Sequence, residues 1–225
     1  MTQLNDFPTR IWELSEHLAV ASSTPFTVAL ILNFVISGFF SGYLLTRLFL
    51  AGAFYDADNR VTERAERGKI LAQAGAYSKA ADEYEQAVMA ITVDTPKEKV
   101  RRVYENLLFS SLYKEPPEGF QQAITYGKKY IDEHPDLPSG LIWAYLAAAY
   151  GQQYSYEVAS GKKPDELMPI RDRALEAVRR ALQISPDSKG IIRAMWDPNT
   201  IRSPGDDDLE VFYADPAFKE LLDQK

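Results

Sequence analysis

The side chains able to do acid–base, nucleophilic or metal chemistry are few in this 225-residue chain, and they are scattered. There is no Cys, which removes thiolate nucleophiles, disulfides, zinc ribbons and iron–sulfur ligation together. The two His, His17 and His134, lie far apart in sequence, and a His-based metal site or triad would need both. Glu83 and Glu85 are close enough for paired-carboxylate work, but they fall in an amphipathic helical pattern and read as its wet face. Asp206-Asp207-Asp208 has the charge of a cation site; a solvated loop or a helix cap is the simpler reading of such a run. His134 stands before Pro135 at a helix end, where a donor suits the last carbonyls. No P-loop, dinucleotide glycine fingerprint, G-x-S-x-G or H-E-x-x-H occurs. These residues predict a protein that binds rather than reacts: no enzyme activity, no cofactor and no metal.

The composition behind those side chains is that of a globular protein, 46% hydrophobic and 25% charged, which excludes wholesale disorder and collagen-like architecture. A formal charge of −7 disfavours nucleic acid as a partner, because phosphate binding needs an excess of Lys and Arg on some face. The charge is uneven. Only Asp6, Glu13 and Glu16 among the acids precede Tyr55, so nearly all the acidity belongs to the C-terminal part.

The apolar content is uneven too. Leu18 to Thr46 contains no Asp, Glu, Lys, Arg or His, and its heart is the run Phe26–Leu45. At about 1.5 Å of rise per residue this reaches across a hydrocarbon core of roughly 30 Å. A transmembrane helix is therefore expected over 25–54, entered at Thr24-Pro25, with Arg47 at its far end. The acidic segment before it argues for an uncleaved anchor over a signal peptide, although Ala51 and Ala53 do make an A-x-A pattern. Arg10 alone flanks the near side, whereas Arg47, Arg60, Arg64, Arg67 and Lys69 flank the other. The bias predicts a single-pass protein of the cell (inner) membrane with its C-terminal domain cytoplasmic. Ser37, Gly38, Ser41 and Gly42 place small residues one turn apart, a pattern that lets two spans pack closely into a homo-oligomer. Residues 1–24, with Phe7, Ile11, Trp12, Leu14 and Leu18 at helical spacing, read as a short interfacial segment or a frayed tail.

From Arg60 onward the apolar periodicity is helical and repeats. Gly75-Ala76-Tyr77-Ser78-Lys79-Ala80 continues to Tyr84 and Ala87, with Gly68 seven residues upstream. Phe120, Ala123 and Tyr130 recur in the same phase and end at Pro135, after a helix carrying Val100, Tyr104, Leu107, Leu108 and Ser111. Trp143, Leu146, Ala147 and Tyr150 open a third unit whose second helix has Ala174, Val178 and Ala181 before Pro186. This pattern resembles the tetratricopeptide repeat (TPR), over roughly Arg60 to Asp187, with units at about 60–96, 97–136 and 138–187. Small residues would sit where paired helices cross closely, and aromatics would fill the gaps to the next helix. The match is partial: Gly127 stands where the second unit should have an aromatic.

The Trp143-to-Ala174 spacing is roughly double that of an uninterrupted repeat, so residues near 152–169 are extra. They form either an insertion loop offering Tyr154, Tyr156, Lys162 and Lys163, or a longer first helix with a turn at Ser160-Gly161. In the tail, 188–225, Leu209, Phe212, Phe218, Leu221 and Leu222 read as a capping element for the last repeat's apolar face, its helix started by Asp215-Pro216.

The expected fold is thus all-α: one transmembrane helix, then a TPR-like helix-turn-helix solenoid with a C-terminal capping helix. The resemblance implies a protein or peptide ligand in a concave groove lined by first helices. The carboxylate clamp of one TPR sub-class would fall on Ala65, Lys69, Phe109, Leu141 and Tyr145, of which only Lys69 has suitable chemistry, so a clamp is not supported. The groove is expected instead to be apolar and aromatic, built from Phe109, Leu141, Tyr145 and Ala148 and edged by Lys69 and Arg102, taking an apolar helical or extended segment. The function implied is a membrane-anchored scaffold. The alternative is an oligomerising transmembrane effector with the repeats as its sensor.

Overall fold

The computed structural model describes residues 36–38, 40–44, 59–200 and 206–223. The chain divides into two compact units, 1–54 and 55–225. In the first unit, 36–38 and 40–44 are helical and their apolar side chains Ile36, Phe40, Tyr43 and Leu44 are exposed. Among the described residues no helix is long and apolar enough to cross a membrane; the rest of the expected span over 25–54, and the interfacial segment 1–24, lie outside them.

The described residues of the second unit are helical throughout, without strands. We label the helices α1 (59–73), α2 (Tyr77–Met89), α3 (Lys97–Ser111), α4 (Glu118–Glu133), α5 (Gly140–Ala159), α6 (Pro164–Ile184), α7 (Ser188–Trp196) and α8 (Pro216–Asp223), with a 3₁₀ turn at Glu210–Phe212. Each helix from α2 to α6 packs on the next in the chain, and α3 also reaches α5, so the elements form two layers of alternate helices. Side-chain links join members of the same layer: Lys99 Nζ donates to Thr62 between α3 and α1, and Tyr126 donates to Glu85 between α4 and α2 at 2.7 Å.

The sequence explains where helices stop. Gly75 and Gly161 hold φ of +74° and +84°, the left-handed conformation that closes a helix. Behind each, the following N–H returns to a carbonyl five residues back: Ala76 to Leu71 at 2.9 Å and Lys162 to Glu157 at 3.1 Å. Ser139 caps α5, its hydroxyl accepting from Ile142 N at 3.2 Å. Pro164 starts α6, and the Glu166 carboxylate accepts from Lys163 N at 3.2 Å.

Small residues set the crossings. A Cβ on Gly68 would lie 2.9 Å from the Tyr84 ring, and one on Gly127 would lie 2.6 Å from Leu146 while meeting Leu108. The helices therefore approach until the large side chain of one seats on the bare backbone of the other. The core runs continuously from Val61 through Tyr84, Tyr104, Leu107, Leu108, Phe120, Tyr130, Leu146, Ala174 and Val178 to Phe218 and Leu222.

The extra residues near 152–169 are not a loop. They lengthen α5 to Ala159 and begin α6 at Pro164, with a short turn between. The reason is packing. Tyr154 sets its ring 4.8 Å from Phe212, and Tyr156 sets its ring 5.6 Å from Phe120, so the extension has surfaces to cover. Lys162 pairs with Glu157 at 2.9 Å across the turn.

The tail folds back over α5–α7. Leu209, Phe212, Phe218 and Leu222 are buried and Leu221 packs beside them. Phe212 stacks on Phe218 at 4.6 Å, and Trp196 Nε1 donates to Phe212 O at 3.1 Å.

Candidate functional groove

Helices α1 and α3 run side by side and leave a groove of about 790 Å³ between them. Its apolar surface comes from Ala65 and Ala72 on α1, Val103 and Phe109 on α3, and Tyr77 at the start of α2. Lys69 and Arg102 line it from opposite walls. Three of the residues expected in a groove, Lys69, Arg102 and Phe109, are thus brought together.

The aromatic end continues beyond the cavity. Tyr77 stacks on Tyr113 at 4.3 Å, Phe109 meets both edge-on, and Tyr145 of α5 lies 5.7 Å from Phe109. Burial pushes the Tyr145 hydroxyl up to about 12, so it stays a neutral donor. Tyr145 extends the same face through Phe109. Leu141, one turn earlier, is half-buried. Ala148 is a correction: it is fully buried, in the core face of α5, and has no surface to offer a partner.

Tyr154 and Tyr156, expected on a loop, lie on helix α5 with Phe212 and Phe120 as ring neighbours, and Lys162 and Lys163 sit at the turn. The small residues Ser37, Gly38, Ser41 and Gly42 are on the exposed helical stretch of the first unit, and nothing lies within 4 Å of where a Cβ on Gly38 or Gly42 would stand.

Sequence reading missed Tyr77, Asn106 and Ser110 as groove residues, and Tyr113 as the ring stacked behind Tyr77. The signal was present: Arg102, Asn106 and Ser110 recur every four residues along α3, a polar stripe beside the apolar one. It carries no catalytic pattern, and it gains meaning only when α1 stands opposite. His134 packs its ring near Tyr104 and Tyr130. Asp206 and Asp208 bind Tyr113 and Gln152. Among the described residues no three His, Asp or Glu gather where they could hold a metal ion. No family model, curated protein or solved structure matches the chain.

Proposed function

We propose that this protein is a membrane-anchored TPR-type scaffold whose α1–α3 groove holds a segment of a partner protein. The observation that carries this reading is the groove itself: a cavity lined by α1 and α3, with apolar and aromatic side chains and with Lys69 and Glu66 from one helix facing Arg102 and Glu98 from the other. Glycines at the helix crossings, pairing of consecutive helices and a capped end support the repeat reading. The charge-free run Phe26–Leu45 supports an anchor, and the Lys/Arg bias supports a cytoplasmic C-terminal domain at the inner membrane. Confinement to a surface raises the groove's effective concentration for membrane partners.

The test is photo-cross-linking with the full chain in cells. Benzoylphenylalanine at Gln73, exposed in the groove, is expected to capture a discrete partner; the same probe at Lys128, exposed on α4 outside the groove, is not. Equal capture from both positions, or none from Gln73, overturns the scaffold.

The second reading is an oligomerising span with the repeats as sensor. The uncovered backbone at Gly38 and Gly42 favours it. A Gly38→Leu/Gly42→Leu variant separates the two. If Gln73 capture persists while self-association disappears, the scaffold stands; if all partner contact tracks the oligomer, the effector reading replaces it.

A further inference from the structure

The α1–α3 groove contains polar groups that have no partner among the described residues. Ser110 is 1% exposed, and its buried hydroxyl has no hydrogen-bond partner among the described residues, whereas the next residue, Ser111, reaches Leu107 O at 2.8 Å. Buried hydroxyls are nearly always paired, so this one is a polar atom left unmatched in the groove wall, beneath the surface that a ligand would touch. One and two turns earlier on the same face, Asn106 and Arg102 line the cavity, and neither has a hydrogen bond or ion pair among the described residues.

The other charges of the groove are committed. Lys69 lies 3.5 Å from Glu66, Glu98 is bound by Arg101, and Lys99 is bonded to Thr62. Arg102 has no ion pair among the described residues, and Lys69 stands on α1 across the cavity from it. In a domain this acidic, a guanidinium left unpaired beside two neutral hydrogen-bonding side chains selects for a carboxylate.

We propose that the groove recognises an extended peptide segment in which an internal Asp or Glu side chain is held by Arg102 and Asn106 and a nearby apolar side chain rests on Tyr77 and Phe109. This deepens the scaffold reading and rests on it. The register follows from the helix. Arg102 and Asn106 precede Phe109 by about 5 to 10 Å along α3, which an extended peptide spans in two or three residues. The lining of α3 runs from Pro96 and Lys99 on one side of Arg102 and Asn106 to Phe109 on the other, so the acid sits within the groove and is taken as a side chain within the segment rather than a chain terminus. The site is distinct from a carboxylate clamp, whose positions here are Ala65, Lys69, Phe109, Leu141 and Tyr145.

The test pans the full chain, detergent-solubilised and immobilised, against a random dodecapeptide library. Enriched peptides are made with both ends capped and titrated by fluorescence polarisation. The expected peptides carry Asp or Glu two or three positions from Leu, Phe, Tyr or Trp. Glu→Gln in the peptide and Arg102→Ala in the protein should each weaken binding about tenfold or more, and together no further. Arg102 is exposed, so its loss leaves the fold intact.

Enriched peptides that lack an acid, or that ignore Arg102→Ala, overturn the acidic register; the scaffold survives if Gln73→Trp, which fills the groove from an exposed position, abolishes their binding. Peptides indifferent to Gln73→Trp, or no enrichment at all, overturn both.

Discussion

The Gln152 carboxamide donates to Leu112 O at 2.8 Å and to the Asp208 carboxylate at 2.7 Å, tying the C-terminal strap to the end of α3 through the body of α5. Tyr113 Oη adds a 2.7 Å bond to Asp206 at the same place. The strap thus borders the aromatic end of the groove, and its chemistry has consequences for stability.

Burial pushes the Asp208 carboxyl up to about 7; the Gln152 bond opposes this, and the neighbouring Asp207 and Asp206 reinforce it. Near neutrality the folded state holds a proton that the unfolded chain, with a carboxyl near 3.8, has released. This contribution is full below the unfolded value and is lost as pH rises through about 7. Between pH 5 and 8 the wild-type melting temperature is expected to fall relative to that of Asp208→Asn, whose carboxamide oxygen still accepts from Gln152. Parallel pH profiles would refute the assignment.

Asp215 has the opposite dependence. Arg171 grips it through Nε at 2.6 Å and Nη2 at 2.9 Å, and Ala217 N donates to the same carboxylate at 2.9 Å. The Arg171 hydrogen bonds hold its carboxyl below the usual range. Its stabilisation is present above the unfolded value and is lost as pH falls through the lowered folded value. Asp215→Asn keeps an α8 cap but loses the ion pair, at an expected cost of about 2 kcal/mol at pH 7. Asp215→Ala loses the cap as well, about 1 kcal/mol more. Urea denaturation at pH 7 and pH 3 checks both, and the wild-type advantage over Asn should shrink at the lower pH.

Gly151 faces the backbone carbonyl of Asp208, with no room for a Cβ between them. Gly151→Ala should unseat the strap and cost about 1–3 kcal/mol, despite the better helix propensity of Ala. Gly127→Ala meets only the side chains of Leu146 and Leu108, which can rotate, so it should cost less. Denaturation midpoints rank the two, and the reverse order contradicts the close approach of strap and helix.

Phe218 is fully buried and stacked on Phe212. Phe218→Ala is expected to cost about 3–5 kcal/mol and to expose the α6–α7 surface beneath the tail. Increased binding of a hydrophobic dye, with far-UV helicity largely retained, is the signature. An unchanged melting temperature would show that the tail is dispensable.

Much of the helical architecture was legible because its cause is local. Period-3.6 apolar spacing marked the cores of α2, α4 and α6, and Gly75 and the Asp215-Pro216 pair carry their backbone meaning wherever they stand. Helix α7 was less visible: it is short, and its buried side Ile192, Met195 and Trp196 makes sense only against α5 and α6. For the extra residues between Trp143 and Ala174, the sequence allowed a loop or longer helices. The contacts Tyr154–Phe212 and Tyr156–Phe120, distant in sequence, favour helices.

By itself, the sequence determined an all-helical pattern, a charge-free N-terminal block and the absence of cysteine chemistry, because composition and periodicity act residue by residue. Tertiary structure alone decided which polar groups were left over. Among the described residues Ser110 is an orphan because α3 packs it inward, and Arg102 has no partner while the nearby Glu98 is bound by Arg101; Ala148 is core because α5 is covered on that face. Satisfaction of a polar group depends on what stands opposite it, and that is set by the packing of helices far apart in the chain.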